Sequence, residues 1–270
     1  MAAEHDIQPQ RIATDTVQAR QVHSLSRVPV FMPSLCRVRH GEKVLQWGKH
    51  SMRAGPQHLI LMPAGYEFGV VNRPSTQGYL ADVVSFPPEL VRAFRLRHGA
   101  LLEAQLAAAP TASLCVPLDR KLNNAWAYLA DSLAAQEPVE IQTHHAEGLL
   151  LALSLAGHAG PLLVDRNDPL GARIQQLLLF NPAADWTVAG VASRLHLGAS
   201  TLRRQLALEG RSFRIILEEV RLGVALQRLQ TSSRPIGEIA ADCGYASASR
   251  FAVRFRQHYG LSPRALRSAI

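Results

Sequence analysis

No stretch of this 270-residue sequence is apolar for long enough to cross a bilayer. The longest run, Leu149 to Gly157, falls well short of the roughly 20 residues a membrane helix needs. The N-terminus, with Glu4, His5 and Asp6, lacks the basic-then-apolar order of a secretory signal, so a cytoplasmic protein with no membrane partner is expected. Cysteine is scarce. Cys36, Cys115 and Cys243 lie far apart and match neither a zinc pattern nor a disulfide framework, which leaves three reduced, mostly buried thiols as the simplest reading. Histidine is dispersed as well: His40, His50 and His58 stand singly on turns and strands, and His144 and His145 are neighbours on a helix that point in different directions. No metal, no cofactor and no catalytic site is therefore expected. Lysine is absent from residues 166–270, which hold 15 arginines against 7 acids, whereas residues 1–165 balance 14 bases with 14 acids. The whole formal charge of +8 thus sits in the C-terminal part, a footprint that suits nucleic acid, an anionic membrane or a merely solvated face.

What the C-terminal part does contain decides among these. A helix-turn-helix pattern appears twice, first over Val188 to Leu206 and again over Ile236 to Phe255. Sliding the first copy along by 48 residues superposes Val188, Val191 and Ala192 on Ile236, Ile239 and Ala240; one extra turn residue then places Leu202 and Leu206 on Phe251 and Phe255. In each copy an apolar i, i+3 pair followed by Ala describes a short helix that a second helix crosses closely. Gly198 and Gly244 fall in the two turns, where glycine's tolerance of positive φ suits a sharp connection. Thr187 or Asp185 can cap the first leading helix, and Ser212 can cap a longer helix, Phe213 to Gln230, that joins the two units over roughly 27 Å.

The 47% apolar content is enough for two packed cores, and the chain divides accordingly. Between Pro29 and Phe86, β segments at Leu35–Arg39, Lys43–Trp47, His58–Met62, Phe68–Val71 and Gly78–Ser85 are separated by Gly- and Pro-containing breaks, the spacing of a small barrel or sandwich. Helical periodicity follows in Pro88–Arg97, Leu118–Ala135 and Val139–Ala156, where Leu149, Leu150, Leu151, Leu153 and Leu155 form a broad apolar surface that the sheet or another subunit must cover. The breaker-rich stretch 158–168 is the expected linker, with Asp168-Pro169 opening the next helix. The expectation is an α+β chain: a β-rich barrel with packed helices over 1–157, and an all-α domain over 169–270 with helix-turn-helix units at about 187–208 and 235–257. Helices within 119–156 are the candidate homodimer surface.

A recognition helix meets base edges with the outward residues of its N-terminal half. In the first copy these are Ser200, Thr201, Arg203 and Arg204; in the second they are Ser249, Arg250 and Val253. Arg204 and Arg250 are the candidates for bidentate contacts to guanine, and Ser247, Arg254 and Arg256 for contacts to phosphate. Each arginine could equally be a solvated side chain or a partner of Glu218, Glu219 or Glu238. Double-stranded DNA is the expected partner, and one monomer would read an extended, non-palindromic site.

These residues resemble the AraC/XylS family of transcriptional regulators. The resemblance rests on the two units at this spacing, Arg221-Leu222 and Ala225 in the joining helix, Ile239-Ala240, Gly244-Tyr245, Phe251, Phe255, Tyr259-Gly260 and Ser262-Pro263-Arg264. It implies a seven-helix DNA-binding domain, promoter binding near RNA polymerase, and activation of transcription. Val253 stands where the family's second recognition helix often has arginine, and Gly198 where the first often begins with serine. Residues Leu61 to Tyr66 resemble the turn between strands of that family's cupin-like sensor domains. Within such a barrel, Trp47, Tyr66, Phe68 and Tyr79 are candidate walls for a small-molecule effector, or simply core. A regulatory protein docking on this domain in place of a ligand is one alternative; a cupin-type metal enzyme joined to the DNA-binding domain is another.

Overall fold

The computed structural model describes residues 11–108, 113–163, 169–179, 181–195 and 197–270. Its N-terminal part carries strands β1 (Ala13–Ala19), β2 (His23–Pro29), β3 (Ser34–His40), β4 (Glu42–Trp47), β5 (His50–Ala54), β6 (His58–Met62), β7 (Glu67–Arg73) and β8 (Tyr79–Ser85). Helices α1 (Pro88–Arg97) and α2 (Gly99–Ala108), strand β9 (Cys115–Pro117), and helices α3 (Arg120–Ala134), α4 (Val139–Leu155) and α5 (Gly160–Leu163) follow. The strands form two antiparallel sheets, ordered β1-β8-β3-β6-β9 and β2-β7-β4-β5.

Alternation sets which side chains meet between the sheets: in β7, Phe68, Val70 and Asn72 are buried while Glu67 and Arg73 are exposed. β6 departs from alternation because Leu59, Ile60 and Leu61 are all at 0% exposure; one face meets the barrel core and the other lies under α5. Gly41 connects β3 to β4 at φ 80°, and a Cβ there would lie 2.5 Å from the Arg73 carbonyl oxygen, so both backbone and space require glycine. The edge strands β1, β2, β5 and β9 and the helix α2 extend the sequence expectation. β1 and β2 are mostly polar and are held by register with β8 and β7, which a hydrophobic pattern does not reveal.

The apolar surface of α4 is covered within the chain. Leu149, Leu150 and Leu153 are fully buried, and α4 packs against α3 and α2. Gln105 reinforces this, donating to the Ser154 carbonyl at 2.7 Å and accepting from the Ala159 amide at 3.2 Å. These leucines are thus core, and the sheet-side helices provide the cover that the pattern demanded. Of the expected linker, Ala159 and α5 are buried against the N-terminal part; Asp168 lies outside the described residues. Cys36 and Cys243 are buried as expected, but Cys115 is only half-buried, its thiol facing the Arg53 carbonyl at 3.8 Å, because β9 is an edge strand.

The C-terminal part is α6 (Leu170–Leu179), α7 (Val188–Arg194), α8 (Ala199–Leu208), α9 (Phe213–Thr231), α10 (Ile236–Asp242), α11 (Ala248–Tyr259) and α12 (Pro263–Ala269). α9 is its spine, contacting α6, α10 and α12. It is buried through Ile216, Val220, Leu222, Val224, Ala225, Leu226 and Leu229. The same helix lies on β1 and β2, and α11 also meets β2. At this junction Phe31 nests against Gly223, where a Cβ would come within 2.5 Å of the ring, and Gln227 donates to Asp15 at 2.7 Å.

Candidate nucleic-acid interface

Each helix-turn-helix unit is built by local capping and an inward apolar stripe. Thr187 caps α7 by accepting from the Gly190 amide, and Ser212 and Ser247 cap α9 and α11 in the same way. α8 begins at Gly198 without a side-chain cap, and Gly198 has φ −77°, so the conformational need expected of both glycines exists only at Gly244, with φ 80°. A Cβ at Gly244 would also lie 2.7 Å from the Arg221 guanidinium. Arg221 in turn donates to the carbonyls of Pro182 and Ala184 at 2.9 and 3.1 Å, tying the approach to the first unit to the turn of the second.

The inward residues are Leu202 and Leu206 in α8, and Phe251 and Phe255 in α11, all nearly or fully buried. Phe255 stacks obliquely between Phe251 at 5.5 Å and Tyr259 at 4.7 Å. On the outward faces, Ser200, Arg203 and Arg204 are exposed with Thr201 half-buried, and Ser247, Ser249, Arg250, Val253 and Arg256 are exposed. Arg254 differs. Its guanidinium holds Glu218 of α9 at 2.8 and 3.3 Å and Gln257 at 3.3 Å, making it a brace between α11 and α9. Arg228 and Arg234 similarly converge on Asp242 at the end of α10, at 3.5 and 2.7 Å.

Some positioning residues had no local signal in the sequence. Glu209, beyond α8, accepts from the first amides of α6, Leu170 at 2.7 Å and Gly171 at 2.9 Å, and so caps that helix from 38 residues away. Glu219, buried in α9, is paired with Arg211; burial pushes its carboxyl upward and the arginine opposes that. Burial likewise pushes the Tyr245 hydroxyl, beside the Gly244 turn, well up.

In the N-terminal part, three of the four candidate wall residues come together. Phe68 is met edge-on by Trp47 at 5.7 Å and is stacked by Tyr66 at 5.7 Å. Phe68 is completely buried, whereas Trp47 and Tyr66 are half-buried. Tyr79 sits apart, near the start of β4, under the Lys43 ammonium. Among the described residues no group of three His, Cys, Asp or Glu side chains is placed to hold a metal ion, and no helix is long and apolar enough to cross a membrane.

With this geometry in place, comparison with known proteins is informative. A family model described as a helix-turn-helix domain matches residues 191–269. The regulator GadX of Escherichia coli is 36% identical over 107 residues, 39% of each chain. The urease operon transcriptional activator of Escherichia coli is 36% identical over 97 residues, 36% of this chain and 33% of the relative. The C-terminal domain belongs to the AraC/XylS family. The matches span little more than a third of these relatives, so the sequence likeness of this AraC/XylS chain is confined to its reader. The fold likeness is wider: a crystal structure of an apo ToxT variant from Vibrio cholerae superposes with a TM-score of 0.67 at 13% identity, covering 96% of this chain and 99% of that one. An N-terminal β domain followed by a paired helix-turn-helix domain is thus an arrangement shared with ToxT.

Proposed function

We propose that the protein is a sequence-specific transcriptional regulator, acting as an activator, that reads two successive major grooves with α8 and α11. The observation that carries this reading is the pair of helices presented on one monomer, each with its apolar stripe buried and its polar residues outward. Arg204 and Arg250 contact bases, while Arg203, Ser200, Thr201, Ser249 and Val253 complete the two reading faces. Ser247 and Arg256 hold phosphate, and Arg254 acts through Glu218 to set the angle of α11. Val253, 54% exposed, offers an apolar contact suited to a thymine methyl. RNA polymerase is the partner that activation requires, and the cytoplasm is where both are met.

The N-terminal domain serves as sensor and dimerisation unit, with residues 158–168 joining it to the reader. Because Leu150 is core, a second copy pairs through what α3 and α4 leave outside: Tyr128, which stacks near His145, and Ile141 one turn before it. Tyr128→Glu should shift sedimentation toward the monomer without unfolding; an unchanged dimer would remove this surface from the interface. Genome-wide mapping of bound sites tests the regulator itself. A single recurring motif spanning about two helical turns is expected, and binding without any recurring sequence would contradict the reading.

A further inference from the structure

At the barrel end marked by the β3–β4 turn, polar side chains from both sheets meet out of contact with solvent. Lys43 of β4 is buried, and its ammonium donates to Asn72 Oδ1 at 2.8 Å. Asn72 Nδ2 donates to His23 Nε2 at 3.2 Å, and His23 Nδ1 donates to the Gln21 carbonyl at 3.3 Å. Every donor in this order meets an acceptor, which makes His23 the neutral tautomer protonated on Nδ1. Burial accordingly holds its pKa down.

The relay leaves Lys43 with two unused donors and no counter-charge. Its titrating neighbour is the buried Cys36 thiol, and desolvation pushes the ammonium below the usual lysine range. The neighbouring carboxylates are engaged elsewhere: Glu42 holds Arg73 at 3.2 Å and Asp82 faces Arg39 at 3.7 Å. The ring of Tyr79 lies 5.4 Å from Lys43 Nζ, and its hydroxyl is buried with no hydrogen-bond partner. A buried cation and an orphaned hydroxyl at one place are both costly.

We propose that Lys43 and Tyr79 anchor a small organic carboxylate inside the barrel. A carboxylate supplies the missing charge, and its two oxygens accept from the spare Lys43 donors and the Tyr79 hydroxyl. An access route lies beside it: a cavity of about 410 Å³ is lined by Gly41, Arg39, His40 and Arg73. The Tyr79 ring contacts Gly41 of that cavity, where a Cβ would lie 3.1 Å from Cδ2, and faces the ammonium as well. Displacing this ring joins the cavity to Lys43.

The far end of the relay touches the reader. The amides of Arg20 and Gln21 donate to the Ala269 carbonyl of α12 at 2.7 and 3.0 Å, so hydrogen bonds run from Lys43 through Asn72, His23 and Gln21 to the last helix. A carboxylate that competes with Asn72 for Lys43 perturbs that chain; this consequence rests on the sensor reading, whereas the binding site does not.

Calorimetry of the full-length protein with sodium benzoate and sodium octanoate, against benzyl alcohol and 1-octanol, tests the site. At least one carboxylate should bind and its alcohol should not. Lys43→Met should weaken that binding by about ten- to a hundredfold while circular dichroism shows the fold retained. Absence of carboxylate binding, equal binding of the alcohols, or undiminished affinity in Lys43→Met overturns the proposal. If Lys43→Met does not fold, Tyr79→Phe, which keeps the ring, decides: a severalfold loss supports the site and an unchanged affinity overturns it. Carboxylate binding that leaves DNA affinity unchanged supports the site and overturns the sensor reading instead.

Discussion

The two helix-turn-helix units share a skeleton but are held in different ways. The second is braced on several sides: Arg254 to Glu218, Arg228 and Arg234 to Asp242, and α11 against β2 of the N-terminal domain. The first rests on α6 and on Glu209, and its recognition helix starts without a cap. Two copies of one motif can thus differ in how firmly each is oriented while presenting the same kind of face. An arginine pair, Arg203 and Arg204, lies on the more loosely anchored copy, and Arg250 with Val253 on the braced one.

Core truncation is expected to separate the copies most. Phe255→Ala removes the middle ring of an aromatic row and should cost about 3–5 kcal/mol, against about 2–5 for Leu206→Ala. Urea denaturation followed by a probe in each unit checks this, and equal losses in both probes would make the reader a single cooperative body. Next comes readout: Arg204→Ala and Arg250→Ala should each lose about 1–3 kcal/mol of discrimination at separate base positions. Arg256→Ala should instead weaken all sequences and lower the salt slope by about one. Binding to a randomised library distinguishes them, because uniform losses from all three would contradict the division of labour.

The turns should respond with opposite sign. Gly244→Ala meets both the left-handed backbone and the Arg221 guanidinium and is expected to cost about 1–3 kcal/mol. Gly198→Ser, at an extended residue before α8, should add a few tenths of a kcal/mol by supplying the missing cap. Thermal melts of the two variants measure this, and destabilisation by Gly198→Ser would show that its turn is constrained by something other than capping.

The smallest effect concerns the braced unit's contact with the barrel. His258, at the end of α11, has its pKa lowered from 6.5 by burial, with the Arg27 charge adding to that. A folded-state pKa below the unfolded one means that the unfolded chain binds the proton more readily. The stabilisation is therefore complete above about pH 6.5 and is lost as pH falls through the lowered folded value. His258→Gln should flatten this dependence between about pH 7.5 and about pH 5.5, with His23 retaining a share because its pKa is lowered too. An unaltered slope in the variant would remove His258 from the acid response.

Local patterns alone made much of this legible. The 3.6-residue periodicity of Leu202 and Leu206, and of Phe251 and Phe255, located both recognition helices, and hydroxyl caps at Thr187 and Ser212 located the helix starts, because each signal acts within one or two turns of chain. Strands β3, β4, β6, β7 and β8 were marked by apolar segments and glycine turns. The polar strands β1 and β2 were not, since their place depends on partners 40 to 70 residues distant.

What the sequence by itself determined, then, is a basic, arginine-rich reader with two heads, since charge and periodicity are properties of neighbouring residues. Tertiary structure decided the rest. It turned Leu150 from an apparent interface residue into core, made Arg254 a brace, capped α6 with Glu209, and brought Lys43, Asn72, His23 and Tyr79 from four strands to one buried point. In each case the decisive partner lies far away along the chain. Whether a leucine is covered, or a buried charge is answered, depends on what folding places beside it.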